Sequence, residues 1–282
     1  MKKVISLDIG GTNLRAAIIN NQYEIEKVII KDNTTFGDID AFYRNIISLI
    51  NELDFDVSEI ENICIGLPGR VRSNGKVDEL INVGIKNVDI PKILGSRFDL
   101  PIYVKNDAEV ALLAESYLGV GKDYNNVYFL TVSTGVGGGY TYKKEAKEIG
   151  LEIGHTPFLY KGKYYDFETI ASGKGIVKLA KINGLVVESA PKLFEMIKNE
   201  DEKALYILDE WLNLFTDFLQ FINKIYQPEV IAFTGGVMKS KDLFFSKLKE
   251  KNSNLNLAEC IYKQNAGLIG CACLGFSLAA KE

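Results

Sequence analysis

Three short apolar runs in this chain each stop at a glycine-rich turn, and that recurrence constrains the fold more than any other feature. Residues 4–9 lead into Gly10-Gly11-Thr12, residues 127–132 into Thr134-Gly135-Val136-Gly137, and residues 230–233 into Thr234-Gly235-Gly236. A brief apolar run bounded by glycine reads as a buried strand entering a tight turn. Further strands are expected at 14–19, 25–30, 63–67, 102–105 and around 139–142. Ile39, Phe42, Ile46, Ile47, Ile50 and Leu53 keep helical spacing, which predicts an amphipathic helix over 38–53. Helices are also expected over 108–118, 168–181, 200–226 and 265–280.

Strand-end glycine turns in both halves of a 282-residue chain, with no long Pro/Ser-rich linker, predict two related α/β lobes facing a cleft. The expected division is 1–106, closed by a C-terminal helix within 265–282, and 107–264. The net charge of −4 and the absence of a basic stripe argue against a nucleic-acid partner. No apolar run approaches the ~20 residues of a membrane span. The apolar start after Met1-Lys2-Lys3 is interrupted by Asp8 and two glycines, too early for a signal peptide. Cys64, Cys260, Cys271 and Cys273 are too few and too scattered for a disulfide scaffold. Cys271 and Cys273 fall on different sides of a helix and cannot clasp a metal together. Reduced, buried thiols in a cytoplasmic protein are the expectation.

Five segments carry candidate chemistry. In Asp8-Ile-Gly-Gly-Thr-Asn-Leu-Arg15, Gly10 and Gly11 permit backbone geometry that other residues resist, and their N–H groups and the Thr12 hydroxyl can meet phosphate oxygens. Asp8, at the strand end, is placed to hold Mg2+ directly or through water. Thr131-Val-Ser-Thr-Gly-Val-Gly-Gly-Gly139 is a second phosphate clamp or a plain glycine-rich hairpin; it is neither a Walker loop nor a dinucleotide fingerprint. Lys105-Asn106-Asp107 stands where a strand ends and a helix begins, so Asp107 suits an N-cap as well as a general base for phosphoryl transfer. Asn106 can bind a sugar hydroxyl through its amide. Glu152-Ile-Gly-His155 with Glu168 suits vicinal diols, although His155, the only histidine, means little alone. In Thr234-Gly235-Gly236, backbone could approach a nucleoside, and a plain strand-to-helix turn is the alternative.

Taken together and in this order, the segments resemble the ROK family of bacterial sugar kinases and sugar-responsive repressors. The resemblance runs from Asp8 to the final helix. It implies the two-lobed actin/hexokinase-like (ribonuclease H-like) ATPase fold with a cleft between lobes. Gly66-Leu-Pro-Gly-Arg-Val71 looks like the family's sugar-side turn, and Asn106-Asp107-Ala-Glu-Val-Ala-Leu-Leu-Ala-Glu115 like its catalytic segment. The resemblance implies Asp107 as base and Gly69, Asn106, Glu152, His155 and Glu168 as sugar contacts. ATP would meet Gly10, Gly11, Thr12, Asn13, Thr134, Gly135 and Gly137 with its phosphates, and Gly235 and Gly236 with its nucleoside. The expected reaction is phosphorylation of a hexose or N-acylhexosamine at O6 by MgATP, in a homodimer.

Many family members carry a zinc cluster, Cys-x-Cys-Gly-x-x-Gly-Cys, just before the downstream glutamate. Here that stretch reads Leu159-Tyr-Lys-Gly-Lys-Tyr-Tyr-Asp166. No cysteine remains, so no structural zinc is expected, and packing by Tyr160, Tyr164 and Tyr165 is expected to hold the loop. Arg70 and the lack of a tryptophan near Asn82 are lesser departures. Zinc-free members include N-acetylmannosamine kinases, which points to that sugar, with glucose next. The rivals are a sugar-responsive repressor, disfavoured because strand 4–9 leaves no room for a DNA-binding segment before it, and a non-catalytic sugar sensor. An ATPase acting on protein or acetate fits the Glu152/His155/Glu168 set poorly.

Overall fold

The computed structural model describes residues 2–80, 83–147 and 152–280; Asn82 lies outside them. The chain divides into two compact units, Met1–Tyr117 with Tyr262–Glu282, and Leu118–Ile261. In the first unit the elements run β1 (Lys3–Ile9), β2 (Asn13–Asn20), β3 (Ile25–Asp32), α1 (Ile39–Asn51), β4 (Ile60–Leu67), β5 (Val77–Leu80), β6 (Ile85–Val88), α2 (Ile90–Gly95), β7 (Ile102–Asn106) and α3 (Asp107–Tyr117). The sheet order is β3-β2-β1-β4-β7. The first three strands form an antiparallel meander, and β4 and β7 follow parallel to β1.

The second unit continues with β8 (Val127–Val132), β9 (Val136–Tyr142), β10 (Glu145–Lys147), β11 (Pro157–Tyr160), β12 (Lys163–Asp166), α4 (Phe167–Ala171), α5 (Gly175–Ile182), α6 (Ala190–Lys198), α7 (Glu202–Tyr226), β13 (Val230–Thr234), α8 (Phe245–Lys251) and β14 (Leu257–Glu259). Its sheet, β10-β9-β8-β13-β14, repeats the first one's plan: an antiparallel meander, then two strands parallel to the first. The chain then returns to the first unit as α9 (Ala266–Ala279).

Alternation along β1 sorts the first unit into layers, because successive side chains of a strand point to opposite faces. Ile5 and Leu7 pack with Phe42, Ile46, Leu49 and Ile50 of α1. Val4 faces the other way, with Cys64, Val110 of α3 and Cys271 of α9. The sequence-based division began the second lobe at 107; here α3 belongs to the first unit, because it packs along α9. That packing is at backbone distance. A Cβ on Gly270 would fall 1.7 Å from the Val110 carbonyl oxygen; Gly275 of α9 instead meets β4, where a Cβ would fall 2.4 Å from Asn62 Oδ1. The second unit is built on α7, whose Trp211, Phe215 and Phe218 sit in the core. Phe167 stacks on Phe218 at 3.7 Å, and Trp211 Nε1 donates to the Ala171 carbonyl at 2.8 Å.

The helix expected over 168–181 is two helices, α4 and α5, separated at residues 172–174. The break lets Gly173 N–H reach the Ser133 carbonyl at 2.7 Å, which a continuous helix would forbid. The strand expected around 139–142 begins at Val136. Among the described residues no helix is long and apolar enough to cross a membrane.

The α3–α9 contact generates a stability prediction. Gly270→Ala should cost about 1–3 kcal/mol, the usual penalty for overpacking a closed site. Gly95→Ala, at a helix end with nothing within 4 Å of a new Cβ, should be neutral or slightly stabilising. Urea unfolding of the two variants checks this; equal midpoints would show that the helices separate freely.

Candidate active site

In the first unit the candidate residues sit at the carboxyl ends of parallel strands. Register aligns Asp8 of β1 with Gly66 of β4, and Gly66 with Lys105 of β7. Gly66 lets α3 lie directly on the sheet, since a Cβ there would come 2.6 Å from Val110 Cγ2. The capping group of α3 is Asn106: its Oδ1 accepts from the Ala108 amide at 2.9 Å and the Glu109 amide at 3.4 Å. Its Nδ2 donates to the Gly69 carbonyl at 2.9 Å. Asn106 therefore ties the Gly69 turn to the helix start and keeps one amide N–H for other work. Gly69 itself has φ +94°, where glycine is required.

Asp107, relieved of the capping role, is part-buried with one carboxylate oxygen 2.8 Å from the Ala108 amide. Burial pushes its carboxyl above the ordinary range, and that amide partly opposes the shift. Asp8 is also raised by burial; Arg15 opposes this, and the charge of Asp107 adds to it. The two carboxylates are thus electrostatic neighbours. Arg15 holds Asp8 through Nη1–Oδ2 at 3.3 Å, and it also donates to the Gln264 carbonyl and to Asn265 Oδ1, just before α9. The Asp8 carboxylate lies against Gly267, where a Cβ would approach within 2.6 Å.

The turn after β1 is closed by Gly10 N–H on the Asn13 carbonyl at 2.8 Å, and the side chains of Thr12 and Asn13 are exposed. Neither Gly10 nor Gly11 has a positive φ, so the unusual dihedrals expected there are not the reason for glycine. Room is what counts at Gly10, where a Cβ would meet the Asn13 carbonyl oxygen at 3.3 Å. Asn33 also holds this turn, with its N–H on the Thr12 carbonyl at 2.7 Å and Nδ2 on the Gly10 carbonyl at 2.9 Å. No motif in the sequence marked Asn33.

In the second unit Ser133 joins three segments. Its N–H donates to the Gly135 carbonyl, its carbonyl accepts from Gly173, and its Oγ accepts from Gly236 N–H at 3.1 Å. Gly235 has φ +103°, and a Cβ there would lie 2.3 Å from the Val132 carbonyl oxygen, so no other residue fits. Thr134 and Gly236 line a pocket of about 750 Å³ whose walls include Ser133, Lys174, Val177, Phe194 and Val237. Gly135 faces elsewhere: a Cβ on it would be 2.6 Å from Glu168 Oε2, which accepts from the Val136 amide at 3.2 Å. Gly137 lies inside β9, opposite Thr131, and not in the turn where it was expected.

Glu152 and His155 flank the 3-10 turn Ile153–His155, with side chains 87% and 58% exposed. Gly154 presses this turn on β9, at 2.3 Å between a built Cβ and the Val136 carbonyl oxygen. His155 Nε2 is 3.6 Å from Glu152 Oε2, and Nδ1 is 3.3 Å from Asp166 Oδ2. The three cysteine positions of the zinc pattern hold Leu159, Lys161 and Asp166, which cannot form a tetrahedral thiolate site. The β11–β12 hairpin is held in other ways. Phe158 packs on Phe167, Phe218 and Phe221, and the Tyr160 hydroxyl donates to Glu210 Oε2 at 2.6 Å. Tyr165 lies beside Lys163 and Lys178. Tyr164, expected to pack, is 70% exposed.

The Asp166 hydrogen bond, reinforced by Glu168 and Glu152, holds the His155 imidazole above its usual value of 6.5. As the chain's only histidine, it can be followed by one proton NMR resonance. Its midpoint should lie above 6.5 and fall in Asp166→Asn; an unmoved midpoint would remove the pair. Because the folded value is the raised one, the stabilisation is complete below about 6.5 and is lost as pH rises through the folded midpoint.

The ROK family model matches residues 4–275. A glucokinase of Thermotoga maritima is 26% identical over 275 residues, covering 88% of this chain and 86% of that protein. An N-acetylmannosamine kinase of Escherichia fergusonii is 27% identical over 289 residues, covering 96% and 97%. Among solved structures, the ROK hexokinase of Thermus thermophilus superposes with a TM-score of 0.81 at 23% identity, covering 99% of this chain and 100% of that one. The two-sheet α/β architecture is that of ROK hexokinases.

Proposed function

Because the chain belongs to the ROK family, we propose that it transfers the γ-phosphoryl group of ATP to a primary hydroxyl, O6, of a hexose or N-acylhexosamine. The observation that carries the reading is the part-buried carboxylate of Asp107 at the start of α3, directly after β7, whose charge acts on Asp8. Phosphoryl transfer asks little covalent work of a protein; it needs an aligned hydroxyl, a base for its proton and a neutralised phosphate. Asp107 takes the hydroxyl proton as the new O–P bond forms and the bond to the ADP leaving oxygen breaks. Its raised carboxyl makes it a better proton acceptor than a solvated aspartate.

The pocket beside Thr134 and Gly236 receives adenosine, its apolar wall of Val177, Phe194 and Val237 suiting a base. In the first unit Thr12, Asn13 and the amide of Gly11, in the turn that Gly10 closes, are suited to phosphate oxygens, and in the second unit Thr134 and the Gly135 backbone are suited to the same groups. When bound, Mg2+ would neutralise phosphate charge. Among the described residues no group of three His, Cys, Asp or Glu side chains could hold a metal. One carboxylate, Asp8, with phosphates and water supplying the rest, is the oxygen-only set this cation prefers. Gly69, Asn106, Glu152, His155 and Glu168 serve the acceptor. Asn106 and Glu168 act mainly through the backbones they hold, Gly69 and Val136 respectively. N-acetylmannosamine is the first acceptor to try and glucose the second, in a cytoplasmic homodimer.

Coupled ADP release across glucose, fructose, N-acetylmannosamine, N-acetylglucosamine and allose with MgATP tests the reading. Asp107→Asn should lower kcat by about 10²–10⁴-fold while sugar binding remains detectable. Near-normal turnover in this variant would remove the base assignment. The wild-type rate should fall in acid through a midpoint above the 3.8 of an ordinary aspartate. Glu168→Ala should raise KM for sugar more than for ATP; the reverse would place it wrongly.

A further inference from the structure

Phe36 keeps 77% of its surface in solvent, yet its loop is tightly anchored. Asn33 pins the loop's start to Gly10 and Thr12 and accepts the Thr35 hydroxyl at 2.7 Å. Thr35 is only 4% exposed. Gly37 N–H donates to the Val83 carbonyl at 2.9 Å, and Asp38 begins α1 as its N-cap. The Phe36 ring rests on Gly84, where a Cβ would come within 2.8–3.0 Å of three ring carbons. Gly84 has φ +70°, so glycine there serves both the turn and the aromatic contact.

Further contacts connect this loop to the candidate-site residues of the first unit. Gly84 N–H donates to the Leu80 carbonyl, and Leu80 lies against Gly69. Gly69 joins Asn106, which caps the helix that begins with Asp107. On the sheet, Asp8 aligns with Gly66 and Gly66 with Lys105, two residues before Asp107; the strand of Asp8 runs into Gly10, whose carbonyl accepts from Asn33. The Phe36 loop is therefore tied on one side to the Gly10–Thr12 turn and on the other, through Gly84 and Leu80, to the Gly69 turn that Asn106 holds beside the proposed base. An aromatic side chain in water, on a loop anchored to two turns of the candidate site, has the chemistry for one side of a pyranose. The negative face of the ring attracts the polarised C–H bonds of a sugar, while carboxylates and amides take its hydroxyls.

We propose that Phe36 is a specificity-determining contact of the acceptor, stacking on the C–H face of the hexose ring. This rests on the kinase reading. The experiment compares steady-state kinetics of the wild type, Phe36→Ala and Phe36→Trp on the best sugar of the panel, with circular dichroism to verify folding. Phe36→Ala should raise KM for sugar about tenfold, with kcat and KM for ATP changed less than about threefold. Phe36→Trp should restore KM to within about threefold of wild type, since indole offers a larger face. An active wild type whose sugar KM ignores Phe36→Ala overturns this contact alone, as does an equal rise in both variants. A wild type that releases no ADP with any sugar overturns the kinase reading, and this contact with it.

Discussion

Two part-buried carboxylates, Asp8 and Asp107, constrain the first unit, and much of its local structure serves to hold them. Burial raises both Asp8 and Asp107, and the charge of Asp107 raises Asp8 further. Arg15 compensates Asp8, and it is itself fixed by Gln264 and Asn265 at the approach to α9. The Ala108 amide compensates Asp107. The last helix of the chain thus closes over the first strand's carboxylate, and Gly267 gives it the clearance to do so. Sequence separation of about the whole chain is the reason neither partner of Arg15 could be named from the motif in which Arg15 sits.

The second unit solves a different problem with the same sheet plan. Here three backbone segments must meet around Ser133, and each is stripped of side chain where it arrives. Gly173 and Gly235 would drive a Cβ into carbonyl oxygens at 2.6 and 2.3 Å, and Gly236 offers its amide to Ser133 Oγ. Gly235, in the motif least telling when read singly, is tightly constrained, with φ +103° and a Cβ position 2.3 Å from the Val132 carbonyl oxygen. Backbone polar groups left at such a convergence are suited to binding an anion, since they carry fixed dipoles without side-chain entropy to lose.

Much of the architecture was legible because it is local. Apolar runs ending in glycine marked β1, β8 and β13, and helical periodicity marked α1 and α7. What failed was decided across space. The 168–181 pattern is a good single helix until Ser133 needs Gly173. Asn33 has no periodicity or motif, because its meaning lies in its hydrogen bonds to Gly10 and Thr12. Tyr164 was misjudged because packing in a hairpin follows register. The pairs Phe158↔Tyr165 and Leu159↔Tyr164 alternate faces, so Phe158 and Tyr165 turn to the core while Leu159 and Tyr164 turn to solvent. Phe158 was in the sequence all along, but only the pairing says that it faces inward.

The same register explains how a loop without zinc ligands keeps its shape. Asp166 pairs with Pro157 on the outward face, one residue before α4, which puts its carboxylate within reach of His155. A metal would cross-link the loop with strong directional bonds; here the inward face is bonded by aromatic packing and the Tyr160–Glu210 contact, and the outward face by an exposed ion pair. Exposed pairs contribute little energy. The hairpin's stability must therefore come from Phe158 and Tyr160, while His155 and Asp166 determine where the Glu152 turn points. The two faces therefore differ in kind: the inward one is held by buried packing, and the outward one by a bond to one imidazole whose charge depends on pH.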